Sequence, residues 1–155
     1  MSKAFTKDDA PPEPPVARRR APLPAGVPNY VTGRGLQALR DELGALEAAQ
    51  PRPEGFAARR AELEERIAAA TVVPAPRDRD EIRFGARVEV EGAEGRREIQ
   101  IVGVDEAEPG LGRVAFTAPL ARALLGRRLA DTVSVRTPGG DEALQIVSIR
   151  YDDGG

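Results

Sequence analysis

Between residues 30 and 73 the apolar positions repeat at steps of three and four. Leu36, Leu39, Leu43 and Leu46 follow Thr32, which is suited to an N-cap, and together predict a helix reaching about Gln50. Pro51 and Pro53 stop it, and Gly55 permits the chain to reverse. Phe56, Arg60, Leu63, Ile67 and Ala70 then form a second stripe, with Glu62, Glu64, Glu65 and Arg66 outside it. Two such stripes joined by Gln50-Pro51-Arg52-Pro53-Glu54-Gly55 predict a short antiparallel coiled-coil hairpin over 30–73. At about 1.5 Å rise per residue such an arm projects only about 25 Å.

Pro74 and Pro76 close the hairpin, and Arg77-Asp78-Arg79-Asp80-Glu81 completes a linker over 74–81. From Ile82 the period changes to two. Val88 and Val90, then Ile99, Ile101 and Val104, then Val114 and Phe116, then Val133 and Val135, then Leu144, Ile146, Val147 and Ile149 mark about five short strands. Turn signals separate them: Gly92-Ala93-Glu94-Gly95, Pro109-Gly110-Leu111-Gly112 and Pro138-Gly139-Gly140-Asp141. Pro119 through Gly126 reads as a two-turn helix with Pro at its first position and Gly at its stop. The fold class is therefore α+β: a helical hairpin, then over 82–155 a small domain with a mostly antiparallel sheet and one short helix.

Residues 1–29 break both periods. They hold Pro11, Pro12, Pro14, Pro15, Pro22, Pro24 and Pro28, half of the chain's 14 prolines, and almost no large apolar side chains. Such a segment buries too little surface to offset the entropy of ordering, so it is expected to be a disordered, proline-rich tail. Arg18-Arg19-Arg20 reads either as a solvated charge run or as a small electrostatic contact with RNA or an acidic protein face.

Composition removes most enzyme chemistry. The 155 residues contain no Cys and no His, which excludes disulfides, thiolate nucleophiles, Cys/His zinc sites and imidazole acid–base work. Carboxylate chemistry survives, with 25 Asp and Glu against 23 Lys and Arg. The net charge of −2 argues against gripping bare nucleic acid by counterion release, and the 4% aromatic content argues against base stacking, so a protein partner is expected. No stretch approaches the roughly 20 apolar residues of a membrane span. No apolar segment follows Lys3 and Lys7 as a secretory signal requires, and a cytoplasmic location is expected.

Several of these segments match a known family. Tyr30-Val31-Thr32, Gly35, Leu39, Glu42-Leu43 and Leu46 resemble the opening helix of the bacterial transcript-cleavage factors GreA and GreB. Phe84-Gly85-Ala86-Arg87-Val88, the run Ile101-Val102-Gly103-Val104-Asp105-Glu106-Ala107, Pro119 through Gly126, Asp131-Thr132-Val133 and Pro138-Gly139-Gly140 resemble its C-terminal domain, in order and at matching intervals. The resemblance implies an FKBP-like C-terminal domain that docks on a coiled-coil rim of bacterial RNA polymerase. It also implies an arm inserted into the secondary channel toward the catalytic Mg²⁺, where two acidic tip residues of the cleaving members help hold a second Mg²⁺.

Two departures change that expectation. Nothing between Glu47 and Glu62 reproduces the family's acidic tip, and Glu54 is the one carboxylate in the connection. The arm is also shorter than the family's by roughly four turns per helix, on the order of 20 Å. Glu54 reads equally as a turn residue placed well against a helix dipole. The tip residues are Arg52, Glu54 and Arg59, none of them expected to hold a metal; in the cleaving members a basic patch on the arm contacts RNA, so the resemblance leaves Arg59 and Arg60 open to an indirect contact with transcript RNA. Arg60 falls on the seam, where its stem would snorkel, and Arg59 is solvated. By resemblance the docking surface comprises Thr117, Ala118, Pro119, Leu120 and Arg122, with Ala118 standing where the family usually has a capping Ser. Leu120 is expected either to meet the polymerase or to pack into its own core with Leu124.

The expectation is a non-enzymatic elongation regulator with no catalytic residues, metal, cofactor, membrane contact or small-molecule substrate. The alternatives are a genuine cleavage-stimulating factor using Glu54 with Glu47, a peptidyl-prolyl isomerase suggested by the fold alone, and a dimerising hairpin module.

Overall fold

The computed structural model describes residues 23–152. Most of the expected tail, including Arg18-Arg19-Arg20, lies outside the described residues. Strand β1 (Asn29–Val31) leads into helix α1 (Gly33–Ala48). Thr32 caps α1, its Oγ1 accepting a hydrogen bond from Gly35 N at 2.9 Å. Gly55, at φ 77°, turns the chain into α2 (Phe56–Ala69), because only a residue without Cβ adopts that left-handed conformation freely. Leu39, Leu46 and Leu63 are buried between the two helices, with Leu43, Phe56 and Ile67 packed around them.

The seam differs from the expected stripe at one turn. It runs through Arg59, half-buried and paired with Glu42 of α1, whereas Arg60 is exposed and pairs with Glu64 at 3.0 Å and Glu47 at 3.7 Å. Steps of three then four from Phe56 also satisfy the helical period, and they bring Arg59 to the carboxylate of Glu42 across the hairpin. Arg66 is likewise half-buried rather than outside. Ala70 does not extend α2. It opens strand β2 (Ala70–Val72), which pairs parallel with β1 in the register Asn29↔Ala70, Tyr30↔Thr71, Val31↔Val72. The arm is thereby closed at its base by a two-stranded sheet that three-residue segments are too short to signal.

The second half contains β3 (Arg87–Gly92), β4 (Gly95–Val102), β5 (Arg113–Ala115), helix α3 (Pro119–Leu124), β6 (Thr132–Thr137) and β7 (Gly140–Arg150). Their order in the sheet is β5-β4-β3-β7-β6, antiparallel throughout except for the β4–β5 pair. A bulge at Glu89/Val90 leaves Val147 of β7 without an opposite residue, which curls the sheet over α3. Alternating residues of β3, β4, β6 and β7 meet Ala121 and Leu124 of α3, Ile82 and Tyr151 in one core. This is the expected α+β arrangement of five strands and one short helix. Phe84 and Phe116 lie in turns flanking β3 and β5 rather than on strands, and both contact Tyr30 of β1, at centroid separations of 6.0 and 5.5 Å. The end of the 74–81 segment is held by Tyr151, whose Oη donates to Glu81 O at 2.6 Å and accepts from Arg83 N at 2.9 Å.

Candidate functional site

Three regions bear the candidate chemistry: the start of α3, the arm's tip, and the junction where the arm leaves the C-terminal domain. At the first, Ala118 occupies the cap position of α3 without a side-chain hydrogen bond, and Pro119 fills the first helical position. Thr117 does not shift the start of the helix. Ala118 N donates to Ala115 O at 2.9 Å and Arg122 N donates to Ala118 O at 2.9 Å, the latter being the first bond of the helix itself. Ala121 and Leu124 point into the core, which turns Pro119 and Arg122 outward. Leu120 packs on the edge of the core and remains half-exposed. Arg122 makes no ion pair among the described residues, so its charge is available to a partner. Pro119 and Arg122, three residues apart, share the exposed side of α3, with Thr117, Ala118 and Leu120 half-exposed beside them.

At the tip, the guanidinium of Arg52 lies 4.5 Å from the centre of the Phe56 ring, a cation–π contact that holds the turn. Arg59 is taken up by Glu42. Glu54 is exposed and makes no hydrogen bond or ion pair among the described residues. Glu47 is engaged with Arg60. Among the described residues no group of three acidic side chains converges as a metal site.

The junction supplies functional candidates that sequence reasoning passed over. Asp105 and Glu106, just beyond β4, are only 6% and 5% exposed. Asp105 accepts from Asn29 Nδ2 at 3.0 Å and from Arg66 of α2. Glu106 accepts from Thr32 Oγ1 at 2.5 Å and from Arg34 Nε at 2.8 Å. Arg34 also donates to Gln100, which is itself buried in β4. The halves approach so closely here that a Cβ on Gly103 would lie 2.0 Å from the backbone oxygen of Tyr30, and one on Gly35 would lie 2.7 Å from the side-chain Oε1 of Glu106. Beside this contact a cleft of about 320 Å³ opens between the two halves, lined by Thr32, Arg34, Arg79, Phe84, Gln100 and Asp152 among others. Arg87 binds Asp152 through both carboxylate oxygens, at 2.7 and 3.0 Å, and holds that carboxyl below its ordinary range. A signal for the junction was present in the sequence: two acids directly after the apolar run Ile101-Val102-Gly103-Val104, where a solvated loop is not expected.

Residues 76–151 match the family model for the C-terminal part of transcription elongation factors GreA/GreB. The transcription elongation factor GreA of Acidiphilium cryptum (strain JF-5) is 44% identical over 113 residues, spanning 71% of this chain and 72% of that one. The chain belongs to the GreA/GreB family. GreA of Methylobacterium sp. (strain 4-46) is 37% identical over 139 residues, 86% of each chain. Among solved structures, GreA factor homolog 1 (Gfh1) of Thermus thermophilus aligns with a TM-score of 0.43 at 23% identity, covering 80% of this chain and 99% of its own. As a GreA/GreB-type elongation factor the chain has its arm in α1 and α2 and its family domain in β3 to β7. No helix among the described residues is long and apolar enough to cross a membrane.

Proposed function

We propose that this GreA/GreB-family protein docks on bacterial RNA polymerase through the face formed by Thr117, Ala118, Pro119, Leu120 and Arg122, at the rim of the secondary channel. The short arm then occupies the channel entrance without supplying ligands to the catalytic Mg²⁺. The observation that carries this reading is the tip itself. Its connection holds a single, isolated carboxylate, Glu54, on helices of only 16 and 14 residues, about 24 and 21 Å long. Assisted hydrolysis through a second Mg²⁺ requires hard oxygen donors converging on the ion, which one exposed carboxylate cannot provide. The protein thus acts by occupancy, in the cytoplasm, and competes with cleaving factors for the same entrance. Arg52 gives the tip a positive end for an indirect contact with transcript RNA.

The test adds the full chain to a stalled, backtracked elongation complex. No shortened transcripts, together with displacement of a cleaving factor, supports the reading. Shortened transcripts that disappear with Glu54→Ala would replace it with genuine cleavage stimulation. Failure of the full chain to co-purify with core polymerase at micromolar concentration, or binding unaffected by Leu120→Asp with Arg122→Glu, would remove the docking assignment.

A further inference from the structure

The mechanism above uses the docking face and the arm but not the two buried carboxylates that join them. Asp105 and Glu106 are adjacent in sequence and both more than nine-tenths buried, yet they reach different parts of the arm. Glu106 holds its beginning, through Thr32 and Arg34 at the start of α1. Asp105 holds its end, through Arg66 in the last turn of α2, and also β1 through Asn29. Gly35 and Gly103 carry no Cβ at the points of closest approach, so the two halves sit in contact rather than at a distance.

We propose that Asp105 and Glu106 are positioning residues that fix the direction in which the arm projects from the C-terminal domain, so that docking of one aims the other. One contact would act as a pivot. Two contacts, one on each helix, block rotation about either. A buried ion pair contributes little net stability compared with an apolar pair, but each partner strongly disfavours any geometry that leaves the other charge unpaired. The pair is therefore suited to specifying orientation, because tilting the arm strips two desolvated carboxylates of their donors at once. The consequence for transcription rests on the occupancy reading above; the orientation itself does not.

Because the chain contains no Cys, Ala58→Cys on α2 and Ser134→Cys on β6, both exposed, give a spin-label pair across the junction with no background. The full chain is expected to show one narrow distance distribution by pulsed electron resonance. With α1 of 16 residues, about 24 Å long, a swing of about 10° at the base moves the tip by about 4 Å. Asp105→Ala with Glu106→Ala is expected to broaden the distribution by at least that amount, and Asp105→Asn with Glu106→Gln by less. The arm-side pair Arg34→Met with Arg66→Met, which leaves the C-terminal core untouched, is expected to broaden it as well. An unchanged distribution in the arm-side pair, or loss of the C-terminal fold in both carboxylate pairs, overturns the proposal. On polymerase, the carboxylate variants are expected to bind like the unmodified chain while losing their effect on elongation. An unmodified chain that fails to bind removes the occupancy reading and leaves the distance result standing.

Discussion

The contact between the halves is sharpest at Gly103, and replacing this residue by Ala tests it directly. A Cβ there would lie 2.0 Å from the carbonyl oxygen of Tyr30 and 3.2 Å from its carbon. The obstacle is backbone inside a paired strand, not the end of a flexible side chain, so it moves only if β1 moves with it. Inserting one methyl group into a fully packed site costs about 1–3 kcal/mol. For a chain of this length each kcal/mol lowers the melting temperature by about 2–4 °C, so a loss of about 2–12 °C is expected. Gly110→Ala is the matched control, since a Cβ there meets nothing within 4 Å, and a surface change of that kind stays within about 0.5 kcal/mol. Denaturant unfolding of the two variants measures the difference. Amide exchange locates it: Val73 N, which donates to Val31 O at 3.0 Å, is expected to lose protection in the Gly103 variant, while Ile146 N, bonded to Asp131 O at 2.9 Å, keeps it. A Gly103→Ala protein as stable as the Gly110 control would show that the two halves do not press on each other as described.

Leu63→Ala removes the fully buried centre of the arm and is expected to cost about 2–5 kcal/mol, read as lost helical ellipticity on denaturant titration. Thr32→Ala removes the cap of α1 together with a donor to Glu106, and is expected to cost about 1–2 kcal/mol, with Thr32→Ser restoring most of it. The Arg87–Asp152 pair gives a pH signature. Hydrogen bonding and the charge of Arg87 lower the Asp152 carboxyl below its ordinary 3.8, so the pair's contribution is present above that value and fades as pH falls through the lowered one. Asp152→Asn is therefore expected to be less stable than the unmodified chain at pH 7, by no more than about 1 kcal/mol given the exposure of the carboxylate, with the difference vanishing in strong acid.

Elements long enough to repeat a period were legible in the chain. The Leu39–Leu46 stripe, the Thr32 cap, the five strands and the Pro119 helix occur where alternation and punctuation place them, with Val104 and Phe116 falling just past the ends of β4 and β5, because those patterns report which face is buried. What escaped depends on partners distant in sequence. Arg59 rather than Arg60 turns inward and meets Glu42 across the hairpin, and Arg66 meets Asp105. Strands β1 and β2 are three residues each, and each exists because the other stands beside it. Phe116 read as a strand residue but lies in the turn after β5, where it packs on the core and clusters with Tyr30 and Phe84. Ala118 was legible as a lost cap, and α3 does start there without a side-chain hydrogen bond.

The small sheet that seals the foot of the hairpin separates two design variables. Since β1 and β2 fasten both legs of the arm to each other, and neither reaches beyond Val31 or Val72, whole turns can be added to or trimmed from the far end in matched amounts without disturbing the footing. Stature in this molecule is therefore free to vary while stance stays constant.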